Sequence, residues 1–207
     1  MQEFFETLLD SEKLIHFGGL TLLLIIVFVE TGFFFGFFLP GDYLLFTAGL
    51  LCGTQDLNVG IETLTLSVMC AAVLGSYTGY FTGRLFGEKI LQKKESFFFK
   101  KKYMEKTYNF FNKYGKATLI LGRYLPIVRT FAPIMAGITK MELKYFSIAN
   151  ISGGILWVGS LIPLGYYFGK NHPEVINYLG YIILGFLILT IAPVLKGIHN
   201  AYKIKNA

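Results

Sequence analysis

The chain has 207 residues and a formal net charge of +6, with 54% hydrophobic, 17% aromatic and 15% charged residues and a mean hydropathy of +0.54. A soluble domain carries about 25% charged residues. The composition therefore excludes an ordinary soluble domain and indicates an integral membrane protein built as one bundle. The positive balance does not indicate nucleic acid, because the lysines cluster beside apolar spans as cytoplasmic flanks do.

Met1–Lys13 is acidic and lacks a basic n-region, so no cleaved signal is predicted. Residues 1–16 read as an amphipathic lead-in, with Phe4, Phe5, Leu8 and Leu9 set among Glu3, Glu6 and Asp10. The chain is apolar from Phe17 to Val29, and with the lead-in it can form one spanning helix, which needs about 20 residues.

The next stretch, Glu30-Thr-Gly-Phe-Phe-Phe-Gly-Phe-Phe-Leu-Pro-Gly-Asp42, places two carboxylates in an apolar region. A charge at the centre of a bilayer helix costs about 2.5–3.5 kcal/mol on insertion scales, so such a group faces a cavity, pairs or takes up a proton. Thr31–Leu39 and Tyr43–Gly53 flank Pro40-Gly41. An eleven-residue helix covers about 16 Å, about half of a bilayer core. Two short arms around a breaker predict a re-entrant hairpin over 31–53, whose tip must be surrounded by protein or water. One long kinked helix through Leu39 is the alternative.

Thr63–Phe86 is predicted to span the membrane. Its glycines Gly75, Gly79, Gly83 and Gly87 recur every fourth residue, which puts them on one helix face as a close-packing surface. The following basic segment, 88–116, lies in a loop whose stretch Arg84–Lys106 holds eight basic against three acidic residues. Lysines interleaved with aromatics predict a cytoplasmic amphipathic segment. A second interrupted run, Leu121-Gly-Arg123-Tyr-Leu-Pro126-Ile-Val-Arg129-Thr-Phe-Ala-Pro133, predicts a second re-entrant hairpin over 117–139. Leu143–Phe168 then spans, and a last span falls within 176–198, followed by Lys196, His199, Lys203 and Lys205. Both termini are then cytoplasmic. Cys52 and Cys70 sit in apolar surroundings without metal-ligand spacing and read as small core residues.

Displacing the first half (17–87) by 86 residues onto the second (117–170) aligns Gly36, Leu39 and Pro40 with Gly122, Leu125 and Pro126. The same shift aligns Gly79, Tyr80 and Gly83 with Gly165, Tyr166 and Gly169. With opposite orientations of the two halves this predicts an all-α inverted repeat of two re-entrant hairpins plus about four transmembrane helices, a common transporter plan. The chemistry does not repeat: Glu30 and Asp42 belong to one half, Arg123 and Arg129 to the other. If the hairpin tips meet, four charges converge.

Guanidinium forks match phosphate oxygens, so Arg123 and Arg129 are candidate phosphate ligands. Burial disfavours the ionised carboxylate, so Glu30 and Asp42 are candidates for proton coupling. Tyr43, Tyr124 and Thr130 can donate hydrogen bonds in the same pocket, though such residues also serve packing. A purely structural charge cluster is the competing reading, as is a proton-coupled small-ion transporter. No activated nucleophile with a histidine base and no metal-ligand cluster is visible, so neither an enzyme nor a cofactor is expected.

Three motifs in order carry a family resemblance: Glu30-Thr-Gly to Leu39-Pro-Gly-Asp42, Gly75-Ser-x-x-Gly-Tyr-x-x-Gly-Arg84, and Arg123-Tyr-x-Pro-x-x-Arg129-Thr130. Together they resemble the DedA family, also called the SNARE-associated or VTT-domain family, over about residues 15–200. The resemblance implies two inverted re-entrant hairpins and lipid translocation in a bacterial cytoplasmic membrane. Bacterial members are implicated in returning undecaprenyl phosphate to the cytoplasmic leaflet. Others are linked to phosphatidylethanolamine, and eukaryotic relatives behave as scramblases. It also implies that the positions of Glu30, Asp42, Arg123 and Arg129 are needed. The expected partners are a membrane lipid and protons, with a homo-oligomer left open.

Overall fold

The computed structural model describes residues 11–34, 36, 41–55, 57–92, 117–172 and 174, with no side-chain detail for 11–17, 88–92 and 126–127. Within these the chain is all-helical and has no strand. The helices are α1 (Ser11–Gly32), α2 (Gly41–Leu50), α3 (Ile61–Gln92), α4 (Thr118–Leu121), α5 (Pro126–Ile138) and α6 (Leu143–Asn171). A 3₁₀ turn, Gly122–Tyr124, joins α4 to the residue before α5. The lead-in over 1–10, the basic segment from 93 to 116 and the last span over 176–198 lie outside the described residues.

Among the described residues, two helices are long and apolar enough to cross a membrane: α3 over Ile61–Gly87 and α6 over Leu143–Asn171. Their outward faces carry Leu85 of α3 (73% exposed) and Ile148 of α6 (56%), whereas Glu30 is 0% exposed and Arg123 and Arg129 are 4%. Water would favour the reverse. A hydrocarbon surround favours this arrangement, with aliphatic side chains facing lipid and ionised groups turned inward.

The helix boundaries depart from the sequence reading in three places. α1 is broken at Gly19, whose backbone is left-handed (φ 52°), so its apolar part is Gly18–Gly32. Thr31 and Gly32 close α1 and do not open a separate arm: the Thr31 hydroxyl donates to Val27 O at 2.8 Å, and Phe33 N still donates to Val29 O at 3.1 Å. The chain then folds back over its own last turn. Gly36 lies so near the Val29 and Glu30 backbone that any Cβ there would overlap it. The third departure is at α3, which continues to Gln92 and takes up the start of the basic segment.

In the second half the break falls at Leu125. It is extended (φ −114°, ψ 108°), as the residue before a proline prefers, and Pro126 opens α5 with its fixed φ. Pro133 lies within α5 and does not end it. The helix closes through Lys140 at φ 54°, with Met141 N donating to Ala136 O at 2.9 Å and Lys140 N to Gly137 O at 3.0 Å. That bond pair satisfies the last carbonyls of α5.

The most extensive contacts cross the two halves, α3 against α5 and α2 against α6. Missing side chains allow both. A Cβ on Gly83 would overlap Ile134 O, and one on Gly165 would overlap Phe46 O. Gly75 lies against Phe28 O and Thr31 of α1, and Gly79 fits between Gly32 and Pro133. Two apolar clusters fill the interior. One contains Leu23, Val27, Leu44, Val68, Trp157 and Ile162, and the other Tyr80, Leu119, Ala132, Ala136 and Phe146. Cys52 is buried, but Cys70 is exposed on α3 because it faces away from this packing, so only Cys52 is a core residue.

Gly83→Leu will force α3 from α5 and cost about 1–3 kcal/mol of stability, the usual cost of overpacking. Gly159→Ala, at a site with open space around it, will leave thermal stability in detergent unchanged.

Candidate functional site

Glu30 lies in the last turn of α1, and Gly41 at the start of α2 meets its carboxylate. Gly41 N donates to Glu30 Oε1 at 3.1 Å. Gly41 has no side chain, and a Cβ there would overlap Glu30 Oε2. This N-terminal end of α2 favours a carboxylate through its free N–H groups. Asp42 follows in the first turn of α2.

Arg129 reaches this corner from the first turn of α5, across 87 residues of sequence from Asp42. Its Nη1 donates to Asp42 Oδ1 at 2.6 Å, and its Nη2 pairs with Glu30 Oε1. One guanidinium therefore bridges two carboxylates. Trp157 of α6 completes the corner: its Nε1 donates to Asp42 Oδ1 at 2.8 Å, and Arg129 Cζ lies 4.6 Å from the ring centroid. Helices α1, α2, α5 and α6 are thus joined through four side chains.

Arg123 does not join this cluster by hydrogen bonding. From the 3₁₀ turn it enters a neighbouring position and donates from Nη2 to Ser76 Oγ at 3.2 Å, to Asn150 O at 3.1 Å and to Asn150 Oδ1. Among the described residues no carboxylate pairs with it. Asn150 is itself fixed, its Nδ2 donating to Val73 O at 3.1 Å. A small cavity lies between the two arginines, lined by Ser76, Leu119, Gly122, Arg123, Arg129, Ala132, Pro133 and Asn150.

The other candidates divide. Thr130 is buried, and so is Tyr43 at 2% exposure. Tyr124 is 47% exposed, with its hydroxyl 3.4 Å from Ser160 Oγ, so it stands outside the cavity. The structure also adds Trp157, Asn150 and Ser76, which residue type alone did not mark. A tryptophan in mid-span, away from the interfaces where it is enriched, was one signal. An asparagine inside an apolar run was the other. Among the described residues no group of three or more His, Cys, Asp or Glu is placed to hold a metal ion.

Gly41→Ala will push the Glu30 carboxylate off its seat and lower thermal stability in detergent by about 1–3 kcal/mol. Glu30→Asp, which withdraws the carboxylate by one methylene, will recover part of that loss in the double variant.

The VTT domain family matches residues 39–167 of the chain. Among curated relatives, the chain is similar to Protein DedA of Escherichia coli (strain K12), with 40% identity over 172 residues, 83% of this chain and 78% of that protein. It is 41% identical over 192 residues to an uncharacterized membrane protein of Mycobacterium tuberculosis (strain CDC 1551 / Oshkosh), covering 92% of this chain and 84% of that protein. Inner membrane protein YqjA of Escherichia coli (strain K12) is 30% identical over 180 residues, 87% of this chain and 80% of that protein. No solved structure matches. The family match covers Asp42, Arg123 and Arg129 but begins after α1 and Glu30, and the relatives cover most of both chains: this is a membrane protein of the DedA family.

Proposed function

We propose that the protein is a lipid transporter that moves undecaprenyl phosphate across the bacterial cytoplasmic membrane for carrier-lipid reuse, coupled to protons. The observation that carries this reading is a pair of buried guanidiniums beside a cavity, one of them without a carboxylate partner. A charged group kept inside a membrane protein serves substrate, ion or structure. A structural role accounts for Arg129, which has two acids, better than for Arg123, which has none among the described residues.

In this reading the helix pairs around Pro40-Gly41 and Leu125-Pro126 are re-entrant hairpins of an inverted repeat, and both termini are cytoplasmic. The reciprocal packing of α3 on α5 and α2 on α6 supports the repeat, because each long helix meets the short helix of the other half. The phosphate binds at Arg123 and Arg129 while the polyprenyl tail stays in lipid. Proton uptake by Glu30 or Asp42 lessens the negative charge beside Arg129 and so admits the headgroup phosphate. Loss of the proton on the other side restores that negative charge and expels the phosphate.

Transport is favoured over hydrolysis because the hydroxyl beside the cavity, that of Ser76, donates to a backbone carbonyl, Ala72 O at 3.0 Å, and among the described residues to no base.

The test is flipping of a headgroup-labelled polyprenyl phosphate in proteoliposomes. The wild type will transport it, an inward proton gradient will accelerate transport, and Arg129→Ala will abolish it. Glu30→Gln will leave residual transport indifferent to the gradient. Absence of transport by folded wild type, with and without a gradient, would overturn the reading.

A further inference from the structure

Two buried donors remain unused on the cavity between the arginines. Among the described residues, Arg123 Nη1 and Arg129 Nε have no hydrogen-bond partner, and both side chains line that cavity. Both residues are 4% exposed. Buried polar atoms are almost always satisfied, and a charged donor left without an acceptor is expensive. No carboxylate is among the residues that line the cavity. The Asn150 carbonyl oxygens face Arg123 Nη2, and the acids meet Arg129 at Nη1 and Nη2, with Glu30 Oε2, outside the lining, also buried and without a partner among the described residues.

We infer that this cavity is a phosphoryl-oxygen subsite, in which Arg123 Nη1 and Arg129 Nε grip one oxyanion and Asn150 positions Arg123. The inference deepens the transport reading and rests on it for the lipid source of the phosphate. It also divides the labour of the arginines. Arg129 presents only Nε while its forked end is held by Glu30 and Asp42. Arg123 supplies the uncompensated charge.

The aim of Arg123 is built in. Gly153 of α6 leaves room for its stem, since a Cβ there would lie 3.0 Å from Arg123 Cδ and Nε. Asn150 and Ser76 hold Nη2 and leave Nη1 for the cavity. Asn150 is locked in turn by Val73 O, and Ser76 by Ala72 O. Trp157 lies behind the two guanidiniums, its ring centroid 6.0 Å from Arg123 Cζ and 4.6 Å from Arg129 Cζ. The chain has one tryptophan, so its emission reports the surroundings of the two arginines.

The experiment is titration of Trp157 fluorescence in the detergent-solubilised full chain with geranyl phosphate, with inorganic phosphate and with phosphatidylglycerol. The wild type will show a saturable response to geranyl phosphate. Asn150→Asp puts a carboxylate against Arg123 and will weaken binding about tenfold or more, the scale of one charge-assisted hydrogen bond. Binding will recover as pH falls and the introduced carboxyl takes up a proton, which a merely structural defect would not show. Should Asn150→Asp fail to fold, Ser76→Ala is the second variant, with about threefold weaker binding expected from loss of one neutral hydrogen bond.

No saturable response to any of the phosphates, or wild-type affinity in Asn150→Asp at every pH, would overturn the subsite, and the cavity would be a water site only. Equal affinity for inorganic and geranyl phosphate keeps the subsite and makes free phosphate its ligand. Preference for phosphatidylglycerol assigns it to phosphodiester lipids. Flipping by wild type that Asn150→Asp leaves unaltered sinks the subsite alone. Intact, variant-sensitive binding without flipping sinks the transport reading alone.

Discussion

The bridging of Glu30 and Asp42 by Arg129 is the interaction on which the interior depends. Each of these groups would be costly to bury by itself, and all three are held in one hydrogen-bonded corner. The acids come from the turn between α1 and α2, the guanidinium from the start of α5. The bridge therefore fixes the position of one half of the chain on the other. It is a pairing of opposite charges, so anything that removes a carboxylate charge or offers Arg129 another anion weakens it. The proposed proton coupling would use the same atoms as this structural pin.

Much of this was legible in the sequence, and the reasons it was legible are physical. Acids in an apolar run mark an interior site because a bilayer tolerates them nowhere else. Pro126 set the second break because it fixes its own φ and biases Leu125 away from the helix. The first break was misplaced because the signal at Pro40-Gly41 is strong while the reversal begins earlier, at the end of α1. That earlier reversal relies on Gly36 packing on the Glu30 backbone, a tertiary contact invisible to local propensity.

The site was legible in its charges and not in its neutral members. Residue type alone put Arg123 and Arg129 in one role. The structure gives them different partners, because Asn150 and Ser76 intercept Arg123 before it reaches the acids. Asn150 lies 27 residues from Arg123 and Ser76 lies 47, so only the packing of α3 and α6 joins them. Tyr124 looked equally suited to the pocket by type and spacing. It faces outward because a 3₁₀ turn cannot direct both Arg123 and its neighbour inward.

The central claim is that Arg129 couples the halves through the carboxylates. A double-mutant cycle on Glu30 and Arg129, read by thermal unfolding in detergent, tests it most directly. Arg129→Met alone leaves two carboxylates without their cation and should cost about 3–5 kcal/mol, the usual loss on breaking a buried pair. Adding Glu30→Gln should return a large part of that, giving strongly non-additive effects. Losses that simply add would mean that the two side chains do not act on one another, and would contradict the account.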